Sequence, residues 1–381
     1  MKVALVSTIL PSGHFSEILC KSIQNHSNID LMVYADNNPE NIKNPCRNVK
    51  NVWNRGPIFI FGILRAVLEE KPDVVHVQQE LNMYGGALTI LIFPILLLFL
   101  KLLRVKVVTT IHAAVYKEQI DNDFIKLFLM KSVWYIRPFT LKLIFHILFL
   151  SISILSDRII CHSGMMKDIL TKDYNVASKK IQIIRTTIPV RKNGKNKRKK
   201  YFLYFGYIVR RKGIEQLIEG FEKFSKKNKD FNLILAGGTI PGQEKAREEI
   251  SQKIESLNLE KRVTMTGFID HKTIEQLYQN AYAAVMPARI SMGSSGPLYH
   301  AQSYGICILA SDIGHFKEDI INMKDGILVP SNSWYQALKK IASDPKLVKR
   351  IEFGVKIKAQ QKLPHIIAKQ YDEMYKKVIN L

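Results

Sequence analysis

Short runs of β-branched and apolar residues alternate along this chain with longer stretches in which apolar positions recur every three or four residues. The first pattern marks buried strands and the second amphipathic helices. Residues 2–7 form the first such run, the turn-rich Pro11, Ser12 and Gly13 follow, and 15–23 then has helical spacing. Strand, glycine loop and helix in that order open a doubly wound sheet. Residues 31–35 continue it as a strand, 60–70 as a helix, and 74–77 as a strand ending in Gln78, Gln79 and Glu80. Residues 105–111 give another strand, ending in Thr109, Thr110 and His112, and 158–161 and 181–184 give two more around a helix over 164–170. Polar groups at the carboxyl ends of parallel strands face the ligand crevice of an open α/β sheet. His112 at such an edge therefore suits a site, whereas His76, inside its strand, reads as packed.

Two apolar runs depart from this rhythm. Residues 87–100 carry no charge and contain Pro94; residues 143–155 form a second uncharged run. The first is shorter than the roughly 20 residues that a membrane span needs. Lys101, Arg104 and Lys106 follow it, and Arg137 and Lys142 precede the second. Apolar helices flanked by basic residues suit either core packing or an anionic membrane surface, and the charge excess favours the surface.

Residues 191–200, RKNGKNKRKK, hold seven basic residues in ten and no apolar one, which marks a solvated linker. A second α/β pattern follows. Residues 201–207 read as a strand, VRRKG over 209–213 as a basic turn, and 214–224 as an amphipathic helix; 233–235, 263–266, 283–286 and 306–310 read as strands. Alternating strands and helices give a parallel sheet. The tail from about residue 338 is helical and basic.

The richest stretch is 291–312, SMGSSGPLYHAQSYGICILASD, which reads as loop, helix and strand. Ser294, Ser295 and Gly296 leave backbone N–H groups open, Pro297 suits a first helical turn, and a helix start attracts anions such as phosphate. An ordinary capped helix would use the same serines as caps and Gly305 as its C-terminal glycine.

Composition narrows the classes. A chain of 381 residues exceeds one typical core, so two domains are expected. Four scattered cysteines, Cys20, Cys46, Cys161 and Cys307, offer no metal or disulfide spacing and fit a reducing compartment. The apolar N-terminus is broken too early for a signal peptide and reads as the first strand. A net charge of +23 calls for a polyanionic partner. No nucleic-acid motif accompanies it, so phosphorylated substrates and anionic lipid are the better candidates. The first loop lacks GxGxxG, which removes support for a dinucleotide.

Five segments in this order carry a resemblance: SDRIICHS (156–163), GYIVRRKG (206–213), LILAGG (233–238), VTMTGF (263–268) and SSGPLYHAQSYGICILASD (294–312). Together they resemble the group 1 retaining glycosyltransferases of the GT-B fold, over nearly the whole chain. The resemblance implies two Rossmann-like α/β domains facing a cleft. Residues 1–190 would form the acceptor-side domain, with a C-terminal helix at about 365–381 packing back on it; 191–200 would be the linker, and 201–364 the nucleotide-sugar domain.

The implied roles follow residue by residue. Lys212 matches the family's diphosphate-binding lysine and, with His112, would act in catalysis. Arg210 or Arg211 would replace the family's arginine, whose position is Tyr207 here. Gly238 and the segment Ser294, Ser295, Gly296, Pro297 and Leu298, with His300, would line the donor; Gly13, His14, Glu80 and His112 would lie on the acceptor side. Met292 and His300 stand where the family usually has two glutamates, and a neutral histidine offers one acceptor where a carboxylate offers several. No cofactor and no metal are expected. The partners implied are a nucleotide-sugar donor, a lipid-linked or surface glycan acceptor and an anionic membrane surface, with no nucleic acid; the place implied is the inner face of the cell membrane, as a peripheral protein. A non-catalytic GT-B binding subunit is the rival reading, and a charge-driven nucleic-acid binder a third.

Overall fold

A computed structural model describes residues 1–8, 14–38, 46–81, 83–128, 136–191, 198–240, 242–290 and 292–380. The chain divides into two compact units, one of residues 1–120, 137–189 and 362–381 and the other of residues 121–136 and 190–361.

The first unit begins with β1 (Lys2–Val6), α1 (His14–His26), β2 (Asp30–Asp36), β3 (Val49–Trp53) and α2 (Phe59–Glu70). It continues through β4 (Val74–Gln79), α3 (Ala87–Leu102) and β5 (Lys106–Ile111). After α4 (Asn122–Phe128), which belongs to the second unit, come α5 (Pro138–Leu155), β6 (Arg158–Cys161), α6 (Gly164–Lys172) and β7 (Ile181–Ile183). The seven strands order as β3-β2-β1-β4-β5-β6-β7, all parallel. Strands buried on both faces are mostly apolar, which is why β1 reads as a continuous run and β4 opens on Val74 and Val75.

The strand over 49–53 was invisible to the pattern, because its exposed lysine and asparagine mark it as a sheet edge. β4 also runs two residues further than expected. Gln78 and Gln79 pair with Thr110 and Ile111 inside the ladder and are buried, so they are sheet residues whose side chains need internal partners. α3 continues through Pro94 to Leu102, held by the burial of Phe93, Leu96, Leu97 and Leu100.

The second unit holds β8 (Tyr201–Phe205), α7 (Ile214–Ser225), β9 (Asn232–Ala236), α8 (Glu244–Ser256), β10 (Val263–Gly267), α9 (His271–Asn280) and β11 (Ala283–Met286). Then follow α10 (Gly296–Ser303), β12 (Cys307–Ser311), α11 (Gly314–Asp319), β13 (Ile327–Val329), α12 (Trp334–Ser343) and α13 (Pro345–Gln360). Its six parallel strands order as β10-β9-β8-β11-β12-β13, with the strand order reversing between β8 and β11. Both units are thus doubly wound, Rossmann-like sheets.

The expected strand over 201–207 stops at Phe205, since Gly206 takes φ 144° and turns the chain out of the ladder. The basic segment is anchored at its described end: Arg198 donates to the carbonyls of Tyr278 and Gln279 and pairs with Glu352 at 3.1 Å. After α13, the last helix α14 (Pro364–Ile379) joins the first unit and packs along α1. Its inward residues Ile367, Tyr371, Met374, Tyr375 and Val378 recur at helical spacing and complete the core over β1 and β4.

Candidate active site

In the second unit, four loops and one helix start gather at the carboxyl edge of the sheet around the reversal of strand order. Ligands of open α/β sheets bind at such a point. Gly206 and Gly237 approach so closely that a Cβ on Gly237 would run into the Gly206 carbonyl, and both residues adopt positive φ. Only glycine fits such a crossing. The Gly206 amide donates to the Ala236 carbonyl at 3.0 Å and the Ile208 amide to the Gly238 carbonyl at 2.8 Å, which ties the two loops together. A Cβ on Gly206 would lie 3.6 Å from Pro297 Cγ, so the first turn of α10 sits beside this crossing.

The basic turn over 210–212 is a single 3-10 turn closed by Gly213 at φ 60°. It is braced from β11: a Cβ on Gly213 would meet the Pro287 carbonyl, and the Arg289 amide donates to the Arg211 carbonyl at 2.9 Å. Lys212 is half-buried and has no carboxylate partner among the described residues. Burial, and secondarily the Arg211 charge beside it, lower its ammonium to about 7. A cation held at that cost gains from an incoming anion. Arg211 is half-buried next to it.

Arg210, expected among the donor contacts, is committed elsewhere. Its guanidinium forms a bidentate pair with Glu249 of α8, with the Nε contact at 2.9 Å. That pair takes up two of its five N–H donors and offsets its charge, which weakens its pull on a second anion. Leu298 also departs from expectation: its side chain is fully buried core, and its amide already donates to the Ser295 hydroxyl at 3.4 Å. Ser295 is therefore the N-cap of α10, with Pro297 in the first turn and Gly296 exposed in front of it. His300 lies one turn further on, edge-on to Phe205 at 5.4 Å and stacked on Tyr278 at 5.8 Å. Ser294 is half-buried just ahead of the cap, and the Gly238 backbone is covered by the Phe268 ring.

Sequence reading missed Tyr278, which is buried behind α10 and donates its hydroxyl to the Pro297 carbonyl at 3.3 Å. It also missed the exposed pair Tyr207 and Phe268, whose rings meet edge-to-face at 6.2 Å at the rim of the same edge. Phe268 was visible only as the last letter of VTMTGF.

In the first unit a chain of polar side chains crosses the carboxyl ends of β4, β5 and β6. Tyr375 from α14 meets His76 Nδ1 at 2.6 Å, and Thr110 meets His76 Nε2 at 2.7 Å. The Gln78 amide donates from Nε2 to His76 Nε2 at 3.0 Å, while its oxygen accepts from His112 Nε2 at 2.6 Å. His112 Nδ1 then faces His162 Nε2 at 3.2 Å, and His162 Nδ1 donates to the Ile184 carbonyl at 2.8 Å. Phe15 from α1 lies edge-on to both histidines at 4.8 and 5.2 Å. Burial lowers His76 to about 3 and pushes His112 well below its usual range, His162 adding to both shifts.

His76 is thus a packed residue, fully enclosed in its strand, and His112 is its half-exposed outer relative. Glu80 is exposed just past β4. His14 opens α1 but its side chain lies outside the described residues, as does Gly13. Among the described residues no group of three His, Cys, Asp or Glu side chains is assembled to hold a metal ion.

Two doubly wound sheets, the second carrying a glycine crossing, a half-buried lysine and a capped helix start at its strand reversal, define the two-unit GT-B class. Residues 187–352 match the family described as glycosyl transferases group 1, and residues 11–192 match glycosyltransferase family 4. Each half of the chain thus matches a glycosyltransferase family, the two matches together running over residues 11–352.

Among curated relatives, an O-antigen chain mannosyltransferase of Salmonella typhimurium is 27% identical over 252 residues, covering 64% of this chain and 67% of the relative. An alpha-D-kanosaminyltransferase of Streptomyces kanamyceticus is 26% identical over 162 residues, 39% of this chain and 38% of the relative. Anabaena HepE, solved in complex with UDP-glucose, superposes with a TM-score of 0.75 at 14% identity, covering 99% of this chain and all of that one, which shows the fold.

Proposed function

We propose that this glycosyltransferase takes a hexose from a nucleotide-sugar donor and transfers it, with retention of configuration, to a lipid-linked or surface glycan. It would work as a peripheral protein at the inner face of the cell membrane. The observation that carries the donor half is the placement of Lys212, short of a carboxylate partner, at the same sheet edge as the Gly206–Gly237 crossing and the Ser295-capped start of α10. A half-buried ammonium and a helix start in a partly desolvated setting suit the charge that develops on a departing diphosphate. In this reading the bond between the anomeric carbon and the diphosphate oxygen breaks, and the electron pair leaves with the diphosphate. The acceptor hydroxyl attacks from the same face and gives its proton to the leaving phosphate oxygen. Lys212, Arg211 and the backbone of 294–296 meet the diphosphate charge, and no metal is called on.

His112, its ring held by Gln78 and His162, would act on the acceptor side. Relatives support the class of reaction, since one is an O-antigen chain mannosyltransferase and another an alpha-D-kanosaminyltransferase. The structure of HepE with UDP-glucose supports a nucleotide sugar as the donor type.

One observation favours a second reading, a binding subunit without turnover: His300 is packed between Phe205 and Tyr278 where the family usually presents a carboxylate. A thermal-shift screen with nucleoside diphosphates and nucleotide sugars, followed by product analysis on membrane glycolipid extracts, separates the two. Stabilisation by a nucleotide sugar together with product that Lys212→Ala fails to form supports transfer. Stabilisation with no donor consumed under any acceptor supports the binding subunit, and no stabilisation by any nucleotide refutes both.

A further inference from the structure

The outer faces of α2, α3 and α5 form an apolar surface that the core does not use. Each helix lays one side on the sheet: Ile63 and Val67 from α2, Leu96 and Leu100 from α3, and Phe145 and Phe149 from α5 are buried there. Large apolar side chains then recur at helical spacing on the opposite side. On α3 they are Leu88, Leu91, Ile95, Leu98, Phe99 and Leu102, between 43% and 66% exposed. On α5, Phe139, Leu143, Ile147 and Ile154 repeat the pattern at 47% to 75%, and Phe61 and Leu68 extend it on α2. The helices are neighbours, α2 beside α3 and α3 beside α5, so the stripes lie side by side. A soluble surface rarely carries that much contiguous apolar area without a partner.

Charge says which partner. From Leu81 to Lys117, and again from Arg137 to Ser156, the sequence has no acidic residue, while Lys101, Arg104, Lys106, Lys117, Arg137 and Lys142 fall within those stretches. Among the described residues, Lys101 alone of the α3 and α5 cations pairs with a carboxylate, that of Asp157. Glu69 and Glu70 at the end of α2 are paired with Arg65, Lys2 and Lys50. A second copy of this face would bring like charges together over an apolar centre, whereas an anionic lipid surface complements both features.

We infer that the outer faces of α2, α3 and α5 dock on the headgroup layer of an anionic bilayer, with Phe61, Leu91, Leu98, Phe139 and Ile147 entering the acyl boundary and Arg104 and Lys142 engaging lipid phosphates. Helix α5 has the length and composition of a membrane span, with mean hydropathy 1.9 over 18 residues. It is nevertheless the crossover between β5 and β6, which pair Val108 with Arg158, and its inner side is core, so it lies along the surface instead of crossing it. Docking deepens the proposed action on a lipid-linked acceptor but does not require it.

The test is flotation of the purified full chain with vesicles of phosphatidylcholine containing 30 mol% phosphatidylglycerol, and with pure phosphatidylcholine, at low and high salt. Wild type is expected to float with the anionic vesicles and to detach as salt rises. Leu91→Glu with Ile147→Glu should abolish flotation. Arg104→Gln with Lys142→Gln, which leaves the apolar face intact, should weaken partitioning roughly thirty-fold, about fivefold per charge. Circular dichroism melts confirm that each variant is folded, and the charge pair alone decides if the glutamate pair is not. Equal flotation with neutral and anionic vesicles, none with either, or a dimer in sedimentation equilibrium that the glutamate pair dissociates would overturn the inference. Flotation reads no turnover, so it stands or falls apart from the transfer reading.

Discussion

Replacing Lys212 by methionine keeps the length and apolar stem of the side chain and removes only its charge. With burial holding the ammonium at about 7, roughly half of the lysine is deprotonated at pH 7 and about nine-tenths at pH 8. A bound diphosphate restores the charged form, so binding must take up protons, about half of one at pH 7 and close to one at pH 8. The dissociation constant should therefore rise about fivefold from pH 7 to pH 8 and nearly tenfold over the next unit, the lysine's share of that slope vanishing in the variant. Loss of one charge-assisted hydrogen bond, about 1.5–3 kcal/mol, predicts affinity lower by between about tenfold and a hundredfold at pH 7. Titration calorimetry with UDP, GDP and ADP, repeated at pH 8 in buffers of different ionisation enthalpy, reads affinity and proton uptake together. Equal proton uptake and equal pH slope in wild type and Lys212→Met would refute a phosphate role for this residue.

Three further outcomes are expected. Because Arg210 is held by Glu249, Arg210→Ala should leave diphosphate affinity within about threefold and lower stability by no more than about 1 kcal/mol, measured by calorimetry and urea titration. Gly237→Ala places a Cβ against the Gly206 carbonyl at φ 137°, so it should destabilise the protein by about 2 kcal/mol or more in urea unfolding, with diphosphate binding lost alongside. His76 titrates near 3 when folded and near 6.5 when unfolded, so the unfolded chain binds the extra proton between those values. The unfolding free energy should then fall by up to about 1.4 kcal/mol per pH unit as the pH drops below 6, and His76→Asn should flatten that slope, as urea midpoints at pH 7, 6 and 5 would show.

Much of the architecture was legible because burial writes itself into periodicity. β1, β11 and β12 are nearly continuous apolar runs since both faces of a parallel sheet are covered, β4 and β5 open on valines before their polar carboxyl ends, and α7 shows its stripe of Ile214, Leu217, Ile218 and Phe221 directly. Two edge strands were not legible: β3 carries the exposed Lys50 and Asn51, and β13 is three residues long. Composition also showed that α3 and α5 are apolar on every side, though not which residues face the sheet.

The order of glycine, lysine and serine segments thus came from the sequence alone, as did the fold class and the basic, acid-free character of the apolar helices. Only the tertiary structure decided what each member of these segments packs against or pairs with. Arg210 and Arg211 are adjacent and chemically identical, yet Glu249, 39 residues later, engages the first. Leu298 follows the exposed Gly296 by two positions, yet the turn of α10 buries it, and His300 is set among aromatic rings from β8 and α9. Likewise His76, Gln78, His112 and His162 become one hydrogen-bonded chain because three strands in parallel register bring their carboxyl ends together, and α14 supplies Tyr375 from 299 residues away. Periodicity is a local consequence of burial, so sequence carries it; partnership between side chains is set by folding distant segments together, and no local pattern records it.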